Sequence, residues 1–237
     1  AAVLEVIYLV FNEGYAATAG DSLTRPLLCD EAQRLARVLV GLMPATREVL
    51  GLLALLELQA SRLATRIDPA GRPILLADQD RGRWDRVLIR RGLAGLARAV
   101  TLPGQPGPYE LQATIAAVHA RAPTFDATDW GAIVAAYDGL LACLPSPVVA
   151  LNRAMALSML AGPAAALPLV DALVARGDLE RYHLLPAVRA DLLARLGRHD
   201  EARLAFEQAA GLASNDRERQ WLLERLNADG ASTRSRG

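Results

Sequence analysis

Apolar side chains recur along this chain every three to four residues, and short Pro- and Gly-bearing breaks separate the runs; this is the period of amphipathic helices. Val3, Leu4, Val6, Ile7, Leu9, Val10 and Phe11 open such a run at once, with no initiator methionine, so the sequence reads as a piece of something longer. Asn12 to Asp21, carrying Gly14 and Gly20, reads as a loop, and Cys29–Leu42 resumes helical spacing through Ala32, Leu35, Ala36 and Leu39 until Pro44 ends it. Thr46 is placed to cap the next helix with its hydroxyl, and Glu48 suits its first turn. Over Val49–Leu58, Val49, Leu52, Leu53 and Leu56 share one face and Leu50, Leu55 and Leu58 spill onto its flanks, which predicts a central, buried element.

Asp68-Pro69-Ala70-Gly71 is a turn by its chemistry: Pro69 presets the backbone, Asp68 accepts from nearby amides and Gly71 suits the exit. A small extended excursion at Ile74–Leu76 follows, then a polar cluster at Asp78–Arg81 and a helix from Trp84 to Val100. The Pro/Gly-rich stretch Thr101–Pro108 predicts a subdomain boundary, placing a helical subdomain at 1–104. Further helices are expected at Tyr109–Arg121, Thr128–Leu144, Pro147–Leu160, Ala164–Ala175, Arg181–Leu196, Asp200–Leu212 and Asp216–Leu226. Residues 228–237 are small and polar enough to be a disordered tail.

Sliding the chain by roughly 36 residues superposes Ala154 on Ala190, Leu157 on Leu193, Ala161 on Gly197, Ala166 on Ala202 and Val170 on Phe206. That is the tetratricopeptide pattern, in which small residues let paired helices approach and an aromatic wedges the second helix against its neighbour. Trp130, Ile133, Tyr137 and Leu140 suit the second helix of a third copy. The fold class expected is therefore all-α: stacked antiparallel helix pairs over 105–227, with a more irregular helical bundle before them. Stacked helices present a ready groove, which by analogy of fold points to protein binding.

Composition narrows the chemistry. With 26 basic and 26 acidic side chains there is no net field to draw the chain to polyanions, so autonomous nucleic-acid binding is disfavoured. The longest uncharged stretch, Ala154–Val170, contains Gly162, Pro163 and Pro168 and does not suit a membrane span. Cys29 and Cys143 fit buried apolar side chains in a reducing, cytoplasmic compartment. His119, His183 and His199 are far apart and unpaired with cysteine, so no metal site is expected. Lysine is absent, and with it any phosphate-binding P-loop; no Gly-x-Ser-x-Gly nucleophile turn occurs either.

Four polar groups remain as candidate contacts. Asn12, Glu13 and Tyr15 form either a binding corner or a helix terminus in which Gly14 supplies a left-handed cap. Asp78, Asp80 and Arg81, just ahead of Trp84, either anchor an irregular loop through charge-assisted hydrogen bonds or meet a partner. Tyr109, Gln112, Ala116 and His119 share one helical stripe, as a groove lining or as a satisfied internal network. Arg83, Arg86 and Arg90 share a face near Arg91, either solvated or a docking patch for an acidic partner.

Several segments together resemble a known family. They are Leu9-Val10-Phe11-Asn12-Glu13-Gly14-Tyr15, the run Leu28–Arg37, Gly51–Leu55, Asp78–Arg81 with Trp84-Asp85, Gly107–Ala113 with Ile115–Ala120, and Pro145–Ala154. In order and spacing they are similar to the C-terminal helical-repeat extension of bacterial extracytoplasmic-function RNA polymerase sigma factors, over nearly the whole chain to Leu226. Family members usually carry Asp before the Gly-Pro-Tyr element and Gln after it, where this chain has Pro106 and Glu110, and His-Asp where it has Gln59-Ala60. The resemblance implies a parent protein whose N-terminal sigma regions bind core polymerase and read promoter DNA. It implies, too, a tail that controls the factor in place of a separate anti-sigma protein.

The sequence thus predicts a regulatory domain that acts by contact with the sigma regions of its own chain and with core polymerase. It needs no cofactor, touches DNA only through the N-terminal regions, and performs no chemistry of its own. Two alternatives stand beside it: a small-molecule sensor or hydrolytic site built around Glu13, Asp78, Asp80, Tyr109 and His119, and a stand-alone repeat scaffold.

Overall fold

The computed structural model describes residues 2–16 and 24–234. Among them the chain forms α1 (Ala2–Tyr15), α2 (Pro26–Leu42), α3 (Arg47–Ala60), α4 (Arg86–Thr101), α5 (Pro108–Arg121), α6 (Trp130–Cys143), α7 (Pro147–Ala161), α8 (Pro163–Ala175), α9 (Leu184–Arg195), α10 (His199–Leu212) and α11 (Asp216–Arg234). The fold is all-α; among the described residues the only β pairing is an isolated bridge between Ile67 and Pro73. That bridge closes the expected turn, where Asp68 Oδ1 accepts from the amides of Ala70 at 2.9 Å and Arg72 at 2.8 Å.

The helix starts follow local chemistry. Asp85 caps α4 by accepting from the amides of Val87 and Leu88, and Asp129 caps α6 through that of Ala132. Proline occupies the first turn of α2, α5, α7 and α8, where its missing N–H costs nothing. Thr46 departs from expectation: it precedes α3, but its hydroxyl makes no capping bond. The opening helix also runs through Asn12–Tyr15, which was expected to be loop; the rest of that loop, 17–23, lies outside the described residues.

Contacts divide the chain into two compact units, Ala1–Leu144 and Pro145–Gly237. The division falls after α6 and not at residue 104, because α5 packs against α3 within the first unit. The tail expectation also fails in part: α11 continues through residue 234, since adding residues to an established helix costs far less than starting one. Residues 235–237 lie outside the described set.

In the first unit α3 is central, as the apolar face and flanks of its sequence predict, with contacts to α1, α2, α4 and α5. Its Leu52 and Leu56 join Ile7, Phe11, Cys29, Ala32 and Ala36 in one cluster, and Leu55 and Leu58 join Trp84, Ile89, Leu96, Ala113 and Ala117 in a second. Two glycines permit this packing. A Cβ on Gly51 would lie 2.8 Å from the Glu110 amide nitrogen, and one on Gly14 would lie 2.8 Å from that of Cys29. Gly14 therefore serves close helix approach inside α1 rather than a left-handed cap, and its φ is not positive.

In the second unit each helix from α7 to α11 contacts the next, and α7 also meets α9. Ala154, Ala166, Ala190 and Ala202, matched pairwise by the 36-residue shift, are fully buried in α7, α8, α9 and α10. Arg195 on α9 ties back to α7 by donating to the hydroxyl and carbonyl oxygens of Ser158, each at 3.0 Å. Of the cysteines, Cys29 is buried as expected but Cys143 is exposed.

Candidate functional site

The α1 corner is tied into the fold. Glu13 pairs with Arg25 at 2.9 Å, and the Arg25 amide donates to the Gly14 carbonyl. Asn12 hydrogen-bonds Tyr8, whose hydroxyl donates to Gln112 Oε1 at 2.7 Å, while the Tyr8 ring meets Tyr109 edge-on at 5.3 Å. Gln112 in turn donates to the Pro108 carbonyl. Burial holds the phenols of Tyr8 and Tyr109 above their ordinary pKa and pushes that of Tyr137 up to about 12, so none ionises near neutrality.

The Gly107-Pro108-Tyr109-Glu110 element is a clamp. Glu48 on α3 accepts from the amides of Tyr109 at 3.1 Å and Glu110 at 3.2 Å, adding a second carboxylate to that of Glu110 at the N-terminus of α5. Arg47 grips the Glu110 carboxylate with two nitrogens and reaches the carbonyls of Leu102 and Gly104. A Cβ at Gly107 would collide with the Glu48 carboxyl group, so the glycine makes room for the clamp.

Farther along α5 lies a different arrangement. Arg81, buried with 8% of its surface exposed, donates through Nη1 to the carbonyls of His119 and Ala122, and its Nη2 lies 3.5 Å from Thr128 Oγ1. Its guanidinium sits 4.8 Å from the centroid of the Trp84 ring. On that same indole, at 5.7 Å, is Arg62, which also donates to the Tyr15 hydroxyl and, at 2.6 Å, to Gln59 Oε1. Arg66 stacks on the Tyr15 ring at 3.7 Å. Guanidinium and aromatic rings thus alternate in the order Arg66, Tyr15, Arg62, Trp84, Arg81.

This ladder is strongly electropositive. Among the described residues none of Arg62, Arg66 and Arg81 has a carboxylate at ion-pair distance. Burial and the charge of Arg62 depress the Arg81 pKa. Burial would raise the Tyr15 phenol, but Arg62 and Arg66 outweigh it and hold the phenol below its usual value. Burial, with the fields of Arg62 and Arg81, lowers His119 to about 3, so the imidazole is neutral at physiological pH. Among the described residues four buried polar atoms lack a hydrogen-bond partner: Arg66 Nε, Trp84 Nε1, His119 Nδ1 and, nearby in sequence, Gln79 Oε1.

Of the sequence candidates, the structure brings Tyr15, Arg81 and His119 to this ladder, whereas Tyr109 and Gln112 belong to the Tyr8 network and Glu13 to its pair with Arg25. Asp78 and Asp80 are exposed, and Asp80 accepts from the Gly82 amide to start the short 3-10 turn Arg81–Arg83. Of the carboxylates proposed for a hydrolytic site, Glu13 and Asp80 are therefore committed to separate partners, and Asp78 is exposed. Arg83, Arg86 and Arg90 are exposed on and just before α4; Arg86 donates to the Arg81 carbonyl, while Arg83 and Arg90 form no ion pair among the described residues. No group of three His, Cys, Asp or Glu side chains is arranged to hold a metal among those residues. Sequence reasoning passed over Arg62 and Arg66 and named Trp84 only beside the Asp78–Arg81 cluster, not as a contact; the local signal for the two arginines was Ser61–Ile67, where they stand four apart with no acid.

Residues 1–100 match a family of unknown function, DUF6596. An uncharacterized protein of Rhizobium meliloti (strain 1021) is 48% identical over 227 residues, covering 96% of this chain and 53% of that protein. The chain thus spans about half the length of the curated relative it matches. Every member of the ladder from Tyr15 to Trp84 falls inside the family match, and His119 falls outside it.

Proposed function

We propose that this chain is a regulatory protein-interaction domain of an alternative RNA polymerase sigma factor, controlling initiation by contact with the sigma regions of the same protein or with core polymerase. The observation that carries the reading is the outward basic face around the start of α4. Arg83, Arg86 and Arg90 flank Val87, itself 49% exposed, and Arg83 and Arg90 are not neutralised by any described carboxylate. A mixed basic and apolar stripe suits an acidic protein surface, where opposite charge steers encounter and the apolar side chain adds contact area. The relative's greater length supports the reading, since it leaves room for further domains beside the matched part. In the second unit α7/α8 and α9/α10 are read as tetratricopeptide-like pairs that offer a contact surface of their own. The setting is the cytoplasm, where polymerase works, and no helix among the described residues is long and apolar enough to cross a membrane.

Regulation of this kind requires the domain to bind one state of the factor better than another. The test uses the full-length protein. Arg83→Glu with Arg90→Glu is expected to change promoter-specific transcription and to weaken capture of the sigma regions or core polymerase, with helix content unchanged. Removing the whole segment equivalent to this chain without altering transcription or its regulation would overturn the proposal.

A further inference from the structure

The ladder of Arg66, Tyr15, Arg62, Trp84 and Arg81 is costly as an internal feature. Three guanidiniums lie along two aromatic rings with no described carboxylate among them. Elsewhere the chain neutralises its buried charge: Arg47 takes Glu110, and Arg37 takes Glu57. The aromatic faces and the two carbonyls on Arg81 satisfy part of the ladder, but they supply no full negative charge.

Unsatisfied donors mark the same place. Trp84 is 3% exposed, and its Nε1–H, which can only donate, has no acceptor although the ring lies between two cations. Arg66 Nε is likewise buried and unpaired. Buried donors in folded proteins nearly always find an acceptor, so two in one ladder need an explanation. Arg62 and Arg66 are only half-buried and give the ladder an approach from solvent. Among the described residues Arg62 spends Nη2 on Tyr15 and Gln59 and leaves Nε and Nη1 available.

We infer that this ladder is a binding site for a multiply charged oxyanion, the phosphoryl or carboxylate group of a small molecule, held by Arg62 and Arg66 with Arg81 and Trp84 behind them. Guanidinium forks match such oxygens geometrically, and an anion bearing two or more charges offsets the mutual repulsion of the cations. Neutral His119 adds no competing positive charge. The inference goes beyond regulation by protein contact and does not depend on it, because binding is read on this chain alone.

The test titrates the chain, at constant ionic strength, with inorganic phosphate, pyrophosphate and citrate, following tryptophan fluorescence and thermal unfolding. Saturable binding of at least one probe is expected, with a dissociation constant at or below about 1 mM. Which probe saturates separates a phosphoryl ligand from a carboxylate. Arg62→Gln and Arg66→Gln should each weaken that binding at least about tenfold, the scale of one lost charge-assisted hydrogen bond, while thermal stability without ligand is kept or raised by the relieved repulsion. Arg83→Gln with Arg90→Gln, on the outer face, should leave it unchanged. Failure of all three probes to saturate, or equal affinity in the Arg62 and Arg66 variants, overturns the inference. The transcription test on Arg83 and Arg90 fails or succeeds separately.

Discussion

His119 gives a sharp handle on the first unit, because its two protonation states differ so much in the fold. The imidazole packs edge-on against Trp130 at 5.4 Å, its Nδ1 is buried without a partner, and Arg62 and Arg81 stand close enough to repel a third cation. Its ordinary pKa is 6.5, and in the folded chain it is lowered to about 3. Between those values the unfolded chain binds a proton that the folded chain refuses, so stability is fully present above the unfolded value and is lost as pH falls through it. Each unit below 6.5 costs about 1.4 kcal/mol, which makes the loss about 2 kcal/mol at roughly pH 5, still well above the folded value. The perturbation is His119→Phe, which keeps an aromatic ring against Trp130 but cannot titrate. Urea unfolding of both proteins in chloride buffer, with Trp221→Phe as background so that Trp84 and Trp130 report, isolates this group from the carboxylates that titrate in both. Wild type should lose about 2 kcal/mol relative to His119→Phe between about pH 7.5 and pH 5. A stability difference between the two that stays constant to within about 0.5 kcal/mol over that range would refute the reasoning.

Close packing and the α5 clamp give further expectations. Gly51→Ala should destabilise by 2 kcal/mol or more on the scale of roughly 1–3 kcal/mol for overpacking, because its Cβ would meet the Glu110 backbone, whereas Gly41→Ala on α2, with nothing within 4 Å, should gain about 0.5–1 kcal/mol; thermal melts check both. Glu110→Ala strips the carboxylate, 4% exposed, from Arg47 and should cost about 3–5 kcal/mol in urea unfolding, with Glu110→Gln costing less because the amide oxygen still accepts from the guanidinium.

Most of the helices were legible because their information is local: apolar spacing, Pro in a first turn, and Asp85 or Asp129 one residue before a helix all act within a few positions. Errors came where distant residues decide. Thr101–Pro108 looks like a boundary by composition, yet Arg47 and Glu48, some sixty positions upstream, bind α5 to α3 and move the division to residue 144. Gly14 looked like a cap because nothing local shows that Cys29 approaches it. The site was half legible for the same reason. Tyr15 and Arg81 stood out in polar clusters and His119 on a stripe of α5, and Trp84 lies only three positions after Arg81, but Arg62 and Arg66 reach Tyr15 and Trp84 across separations that no periodicity encodes. Asp78 and Asp80 drew attention as a charged cluster and proved to be exposed loop chemistry.

The two groups of arginines without ion pairs differ in how water reaches them, and that separates their roles. Arg83 and Arg90 are solvated, so attraction to an acidic partner is screened over about 8 Å at physiological salt and falls steeply as salt rises. Arg81 is buried, and Arg62 and Arg66 lie against aromatic rings where the local dielectric is lower, so an anion seated there is screened much less. Partner capture through the outer face should therefore fade between low and physiological salt while oxyanion binding at the ladder persists. The ladder also lies close to the outer face in sequence: Arg81 and Arg83 end the same 3-10 turn, and Arg86 donates at 3.2 Å to the Arg81 carbonyl. An anion that draws Arg81 would move the carbonyl that Arg86 holds. An oxyanion at the ladder and an acidic partner on the outer face would both bear on this one short segment, so if both bind, linkage requires each to alter the affinity of the other by the same factor.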